Sequence, residues 1–282
     1  MVYVALIVTV IFLTGQNIVK KKYEQIGSSG VCFFSGMVSL FAMLMFAAVN
    51  RNWSFEAGLL FPAFLFGVSY ACATVGFLLS IKYGSLANSS LVLAYSLLIP
   101  TVYGLIFLDE PIGVTLIIGL FLVALSLWLI NHQKTGERIT WKWVVFVLIG
   151  FFGNGMCSAV QKAAAISYGD EKINLIMVLA LGMSSAMMFV ASPLMREREI
   201  ASVTVKKGWY LAFACGLMNG VCNLLVIFMN TRLPASVMFP VLSGGNLVTV
   251  FLYSVLVLKE RFSVKQYVGF FAGVVSVVIL NL

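Results

Sequence analysis

Amide and hydroxyl side chains recur at helical spacing along an otherwise apolar chain. Asn219, Asn223 and Asn230 stand at i, i+4 and i+11, within about 40° of one another at 100° per residue. Asn154, Ser158 and Gln161 form a second such stripe, and Thr14, Asn17 and Lys21, with Gln16 beside them, a third. Tyr70 aligns with Thr74, Asn88 with Tyr95, and Ser236 with Ser243, Asn246 lying nearby. Each amide both donates and accepts hydrogen bonds, and none of these residues sits beside a base that would make it a nucleophile. The chemistry on offer is recognition of a polar molecule rather than its conversion.

Residue types for other chemistry are scarce. His132 is the only histidine and falls in a loop, so a His-rich metal site is excluded. Cys32, Cys72, Cys157, Cys215 and Cys222 all lie in apolar segments without a CxxC pair and read as small apolar fillers. All ten acidic residues, from Glu24 to Glu260, fall in or beside polar linkers. Exporters of drug cations that run on protons normally need a buried carboxylate, so that mechanism is disfavoured and a neutral or zwitterionic substrate fits better. No catalytic residue, metal or cofactor is expected.

The elements that must position the stripes are membrane helices. Of 282 residues, 61% are apolar and only 10% are charged, against ~25% charged in a soluble domain, too few to cover a water-facing surface. About 20 residues cross a bilayer, and ten apolar stretches fit: 2–19, 28–49, 58–80, 85–107, 112–131, 143–165, 173–195, 208–230, 234–257 and 263–282. The expected fold is all-α and integral to the membrane, multi-pass, the first stretch being a retained span. Soluble, disordered and disulfide-rich classes are excluded. The net charge of +8 is scattered between spans, which points to membrane orientation and not to nucleic acid.

The chain repeats itself. At an offset of 150, Leu108/Leu258, Glu110/Glu260, Val114/Val264, Gly119/Gly269, Phe121/Phe271, Ser126/Ser276 and Asn131/Asn281 are identical. Lys82 matches Arg232 in charge, and Gly36-Met37 matches Gly182-Met183 earlier in the halves. The unit, 1–140 and again 141–282, holds five spans. An odd number forces two consecutive units to enter the membrane in opposite senses, the inverted repeat of many secondary transporters.

Two five-helix repeats, each with an acidic Leu-x-Glu turn before its last helix, resemble the drug/metabolite transporter superfamily, EamA-like branch. The resemblance rests on LDEPIG at 108–113, LKERFS at 258–263, IKYGSLA at 81–87 and GQNIVKK at 15–21, and covers essentially the whole chain. It implies a central cavity lined by the first, third and fourth helix of each half. The polar stripes fall on that same set, whereas spans 5 and 10 are nearly all aliphatic or aromatic, with a GxxxG at Gly269 and Gly273 suited to close packing. Thr14, Gln16, Asn17, Tyr70, Thr74, Asn88, Tyr95, Asn154, Ser158, Gln161, Asn219, Asn223, Ser243 and Asn246 are therefore the candidate substrate-binding residues. For any one stripe the competing reading is interhelical hydrogen bonding.

Further features bear on mechanism. Pro100, and Pro240 with Gly244-Gly245, free backbone groups, either as packing kinks or as a hinge beside Ser243. Lys20, Lys21 and Lys82 correspond to Gln161, Lys162 and Arg232 across the halves, either snorkelling to headgroups or drawing an anionic group to each gate. Linkers after odd-numbered spans, with Lys265 at the start of the last span, hold 14 of the 18 Lys and Arg, which places both termini outside; the resemblance implies the reverse. The expected function is a secondary transporter (exporter, facilitator or exchanger) of small polar metabolites such as amino acids, in a bacterial inner membrane. Its partners are the lipid bilayer and a small-molecule substrate, a homodimer being an allowed assembly. The alternatives are a multidrug or nucleotide-sugar-type exchanger and, from another class, a membrane-embedded enzyme, which would need an acid/base or metal cluster that is missing.

Overall fold

A computed structural model describes residues 2–26, 30–107, 114–131, 140–195, 197–230, 232, 235–259 and 262–279. Among them every regular element is a helix. Three helices open the chain: α1 (Val2–Gln25), α2 (Val31–Val49) and α3 (Leu60–Tyr83), the last reached through a 3₁₀ turn at Ala57–Leu59. The chain then runs through α4 (Leu86–Ala94), a 3₁₀ turn at Tyr95–Leu97, α5 (Leu98–Phe107) and α6 (Val114–Asn131). Next come α7 (Trp141–Leu194) and α8 (Arg198–Val203), then a π turn at Thr204–Gly208. α9 (Trp209–Asn230), α10 (Ala235–Leu256) and α11 (Val264–Ile279) complete the described elements.

Local chemistry sets several of these boundaries. Ser85 caps α4 by accepting from the Asn88 amide at 3.1 Å, and Thr140 caps α7 by accepting from the Trp143 amide at 3.2 Å. Pro100 has no N–H for the carbonyl of Ser96, and the helix tightens into its 3₁₀ turn there. α7 is two helices joined without a loop. Gly169 takes φ 70° and ψ 177° between the arms Trp141–Gly169 and Lys172–Leu194, a positive-φ extended conformation essentially confined to glycine.

Among the described residues six segments are long and apolar enough to cross a membrane: Val2–Gln25, Val31–Val49, Ala57–Tyr83, Trp141–Gly169, Lys172–Leu194 and Ala201–Met229. Leu86–Pro100 and Leu242–Leu256 are shorter apolar helices. The expectation of ten spans therefore meets six of full length among the described residues; the fourth stretch is divided by the turn before Pro100. Phe61, Phe121, Val190 and Leu256 are more than 60% exposed, the outward apolar surface of a protein whose solvent is lipid. The chain is an integral, multi-pass membrane protein.

Glycines let the helices touch backbone to backbone. α3 lies along both arms of α7. A Cβ on Gly76 would stand 2.5 Å from the Gly150 nitrogen, and one on Gly67 2.7 Å from the Ala180 carbonyl oxygen. α2 fills the space between α7 and α9, and α1 packs on α9 and α10. The GxxxG helix α11 pairs with α6, where the Ser126 hydroxyl donates to the Gly269 carbonyl at 2.6 Å.

Trp53, Trp141 and Trp209 are exposed, as suits an amphipathic indole at the headgroup layer. Trp143 is buried instead, its indole N–H donating to Ser89 at 3.0 Å. The Trp128 side chain, His132 and the 108–113 motif lie outside the described residues.

The N-terminus of α2 is capped from the other half of the chain. Glu197, only 4% exposed, accepts from the Cys32 amide at 3.2 Å and the Phe33 amide at 3.0 Å. These are first-turn donors without a partner in their own helix, at its electropositive end. Glu197→Ala strands both, and should cost about 1–3 kcal/mol. The purified variant is expected to melt at a lower temperature, with Glu197→Gln, which keeps one acceptor oxygen, falling between.

Candidate functional site

Four helices present one register to a common space. α1 contributes Leu13, Gln16, Asn17 and Lys20, spaced i, i+3, i+4 and i+7, the stripe that one helical face allows. The first arm of α7 repeats this spacing with Asn154, Cys157, Ser158 and Gln161, and α9 with Asn219, Cys222, Asn223 and Val226. α3 adds Phe66, Tyr70, Ala73, Thr74 and Phe77. Ser90, Leu93 and Ala94 of α4 and Leu242, Ser243 and Asn246 of α10 complete a cavity of about 230 Å³. That is below the ~300–1,000 Å³ of sites for drug-sized ligands.

The amides form a connected network. Asn219 donates to the Gln16 carbonyl oxygen at 3.1 Å and Asn223 to that of Asn219 at 3.2 Å, while Gln16 donates to the Cys222 sulfur at 3.4 Å. Asn17 donates to the Asn246 oxygen at 3.2 Å. On the other wall Asn154 donates to the Ser96 hydroxyl at 2.7 Å. The network is neutral throughout. Lys20 is the only charged side chain among the lining residues, and its ammonium stands 5.2 Å from the centre of the Phe77 ring.

Eleven of the fourteen candidate residues line this cavity: Gln16, Asn17, Tyr70, Thr74, Asn154, Ser158, Gln161, Asn219, Asn223, Ser243 and Asn246. Three do not. Thr14 is buried against α10, where its hydroxyl meets the Asn246 oxygen at 3.4 Å and the Thr249 hydroxyl. Tyr95 is buried too, donating to Ser126 at 2.9 Å. Asn88 borders a separate crevice with Phe262, Gln266 and Phe270. Asn88 and Tyr95 do share a face, as their spacing requires, but that face looks toward α6 and α11. Ser90, two residues and roughly 200° away from Asn88, is the one that reaches the cavity.

Other expectations shift in the same way. The lysine facing the cavity is Lys20, one residue from the expected Lys21, which pairs with Glu24 at 3.5 Å. Arg232 is exposed, donates to the Phe228 carbonyl at 2.8 Å, and is not among the lining residues. α10 stays helical through Pro240, Gly244 and Gly245, so no unwound segment lies beside Ser243. Gly245 serves close packing, its missing Cβ leaving room for Val10 of α1. The side chains of Asn230 and Ser236 lie outside the described residues. Ser90 and the flanking Phe66 and Phe77 were not among the candidates, and Lys20 was named for a gate and not among the substrate-binding residues. The correspondence of Lys20 with Gln161 across the halves was the signal that could have placed Lys20 there. No cluster of His, Cys, Asp and Glu suited to a metal occurs among the described residues.

The sequence model described as the EamA-like transporter family matches residues 141–282. No curated protein matches the chain. Among solved structures, one titled "Crystal structure of protein" is 11% identical, superposes with a TM-score of 0.64 and covers 99% of this chain and 95% of its own. At that identity the likeness is one of fold.

Proposed function

The chain belongs to the EamA-like transporter family, and from that premise we propose that it is a secondary transporter of small polar metabolites, amino-acid-like compounds first among them. The carrying observation is the convergence of neutral amide and hydroxyl stripes from several helices on one small cavity that no carboxylate lines. Such a lining replaces the hydration shell of a polar solute through hydrogen bonds, and the aromatic walls take its apolar part.

The proposed mechanism is alternating access between two inverted five-helix halves in a bacterial inner membrane. Matching contacts support the duplication. α3 approaches the second arm of α7 at Gly67, and α9 approaches α2 at Gly216, two glycines separated by 149 residues like Tyr70 and Asn219. Asn154 of the second half bonds Ser96 of the first, and Thr14 and Asn17 of the first half bond Asn246 of the second, with Ser96 and Asn246 separated by 150. A cavity built between related halves can open to either side as they rock about it.

The test is uptake into proteoliposomes. The purified protein is first melted in the presence of a metabolite panel, since a ligand that binds only the folded state raises the melting temperature. Hits are then measured as saturable counterflow. Zwitterionic amino acids are expected among them; absence of counterflow above protein-free vesicles for every compound would end the proposal.

A further inference from the structure

Two sets of contacts join the halves at opposite faces of the membrane. The second arm of α7, Lys172–Leu194, has 23 residues and is about 35 Å long. Lys172 therefore stands at one face and Glu197, just past the arm's end, at the other. At the Glu197 face, the Glu197 carboxylate of the second half accepts from the Cys32 and Phe33 amides that open α2 in the first. The Tyr23 hydroxyl, at the end of α1, meets that of Thr204, ahead of α9, at 2.8 Å. At the Lys172 face the halves exchange roles. Glu56, ahead of α3 in the first half, accepts from Lys172 at the start of the second arm. Tyr168, at the end of the first arm, donates to the Gly58 carbonyl at 3.0 Å. Glu56 and Glu197 are 141 residues apart, Tyr23 and Tyr168 145, and Gly58 and Thr204 146. Lys20 and Gln161 are likewise 141 apart, and Gly36 and Gly182 146.

We propose that these contacts are the two gates of the carrier, Glu197 with Tyr23 closing one face and Glu56 with Tyr168 the other. The assignment rests on the reading of alternating access between related halves. Each gate ties the turn between the first two helices of one half to the approach of the third helix in the other. Halves that rock about a central cavity separate at one face while they close at the opposite one, and bonds that cross between halves at a face are the ones that must part. The gates are unequal. Glu197 is 4% exposed and holds two backbone amides in charge-assisted bonds. The Lys172 and Glu56 side chains are 29% and 54% exposed, and ion pairs in contact with water are weak and screened by salt. The Lys172 face therefore opens more readily, and the Glu197 face is the one held shut at rest.

The native thiols Cys157 and Cys222 line the cavity and report which face is open, since a small membrane-impermeant methanethiosulfonate reaches them only through an open mouth. The reagent is added to either face of oriented vesicles holding the full-length protein, and modification of the two cysteines is read by peptide mass. Lys172→Glu is expected to raise their labelling rate from the Lys172 face about two- to fivefold, the scale of a surface ion pair. The double exchange of Glu56→Lys with Lys172→Glu should bring it back. Glu197→Gln should raise labelling from the Glu197 face about tenfold, the usual scale for a lost charge-assisted hydrogen bond. Its melting curve separates opening from unfolding, which would expose the thiols to both faces alike. Labelling that stays unchanged in both single variants, rises from the wrong face, or is not restored by the double exchange would overturn the gates. Counterflow is measured on the same vesicles. Transport that persists beside any of those results leaves the carrier reading standing, whereas absence of counterflow for every compound ends that reading and the labelling still decides the gates.

Discussion

Replacing Asn219 with leucine is expected to reduce transport by roughly 10–100-fold while leaving the protein folded. Asn219 sits at the centre of the amide network, donating to Gln16 and accepting from Asn223. Leucine keeps the branched outline of asparagine, so the helices keep their arrangement. The Gln16 oxygen and the Asn223 amide lose their fixed partner, and each such loss costs about 1–3 kcal/mol in a site screened from bulk water. Some of that cost appears as a collapsed or re-ordered lining, which the substrate must undo. Asn223→Leu removes a side chain whose hydrogen bonds run back to Asn219, and should cost less. Initial counterflow rates at matched protein density, with the melting temperature as a folding control, read both. A wild-type rate in the Asn219 variant would separate this cavity from transport.

Gly153→Leu should be the most damaging single change to stability. A Cβ at Gly153 would lie 2.5 Å from the Ala73 nitrogen and 2.7 Å from the Ser69 carbonyl oxygen. Both obstacles are backbone of α3, so no rotamer change relieves them. The helix must move as a unit, away from a partner that it meets again where Gly76 faces Gly150. Overpacking a core costs about 1–3 kcal/mol even where side chains can shift, and here the cost should exceed the upper end, giving protein that aggregates on solubilisation. Gly169 provides the contrast. Among the described residues no atom beyond its chain neighbours lies within 4 Å of its missing Cβ, so Gly169→Ala meets only the penalty of its positive-φ backbone, about 1–3 kcal/mol. Size-exclusion profiles and melting curves of the two variants should order them in that way.

Helical phase made most of the cavity legible in the sequence, and its failures have one cause. Phase states which side chains share a face and says nothing about which neighbour that face meets. On α1, α3, α9 and the first arm of α7 the polar face is also the cavity face, because the opposite faces are aliphatic and have somewhere else to go. On α4 there are two polar faces. Asn88 and Tyr95 look toward the α6–α11 pair, and Ser90 looks inward, a choice fixed by tertiary contacts such as the Tyr95–Ser126 bond. On α1 the difference between Lys20 and Lys21 is one residue, or 100°, within the error of a face estimated from three positions. The Glu197 cap was not legible at all, since it joins residues 164 and 165 positions apart without any local signature.

The first helix finds its polar partners almost entirely in the last third of the chain. Asn219 lies 203 residues beyond Gln16, and Asn246 lies 229 beyond Asn17. A ribosome adding ~5–20 residues per second takes on the order of 10–45 s to make that length. Throughout that interval α1 must wait with Thr14, Gln16 and Asn17 unmated, sheltered by the insertion machinery or by water. Packing of α1 against its polar partners is therefore a late step of assembly.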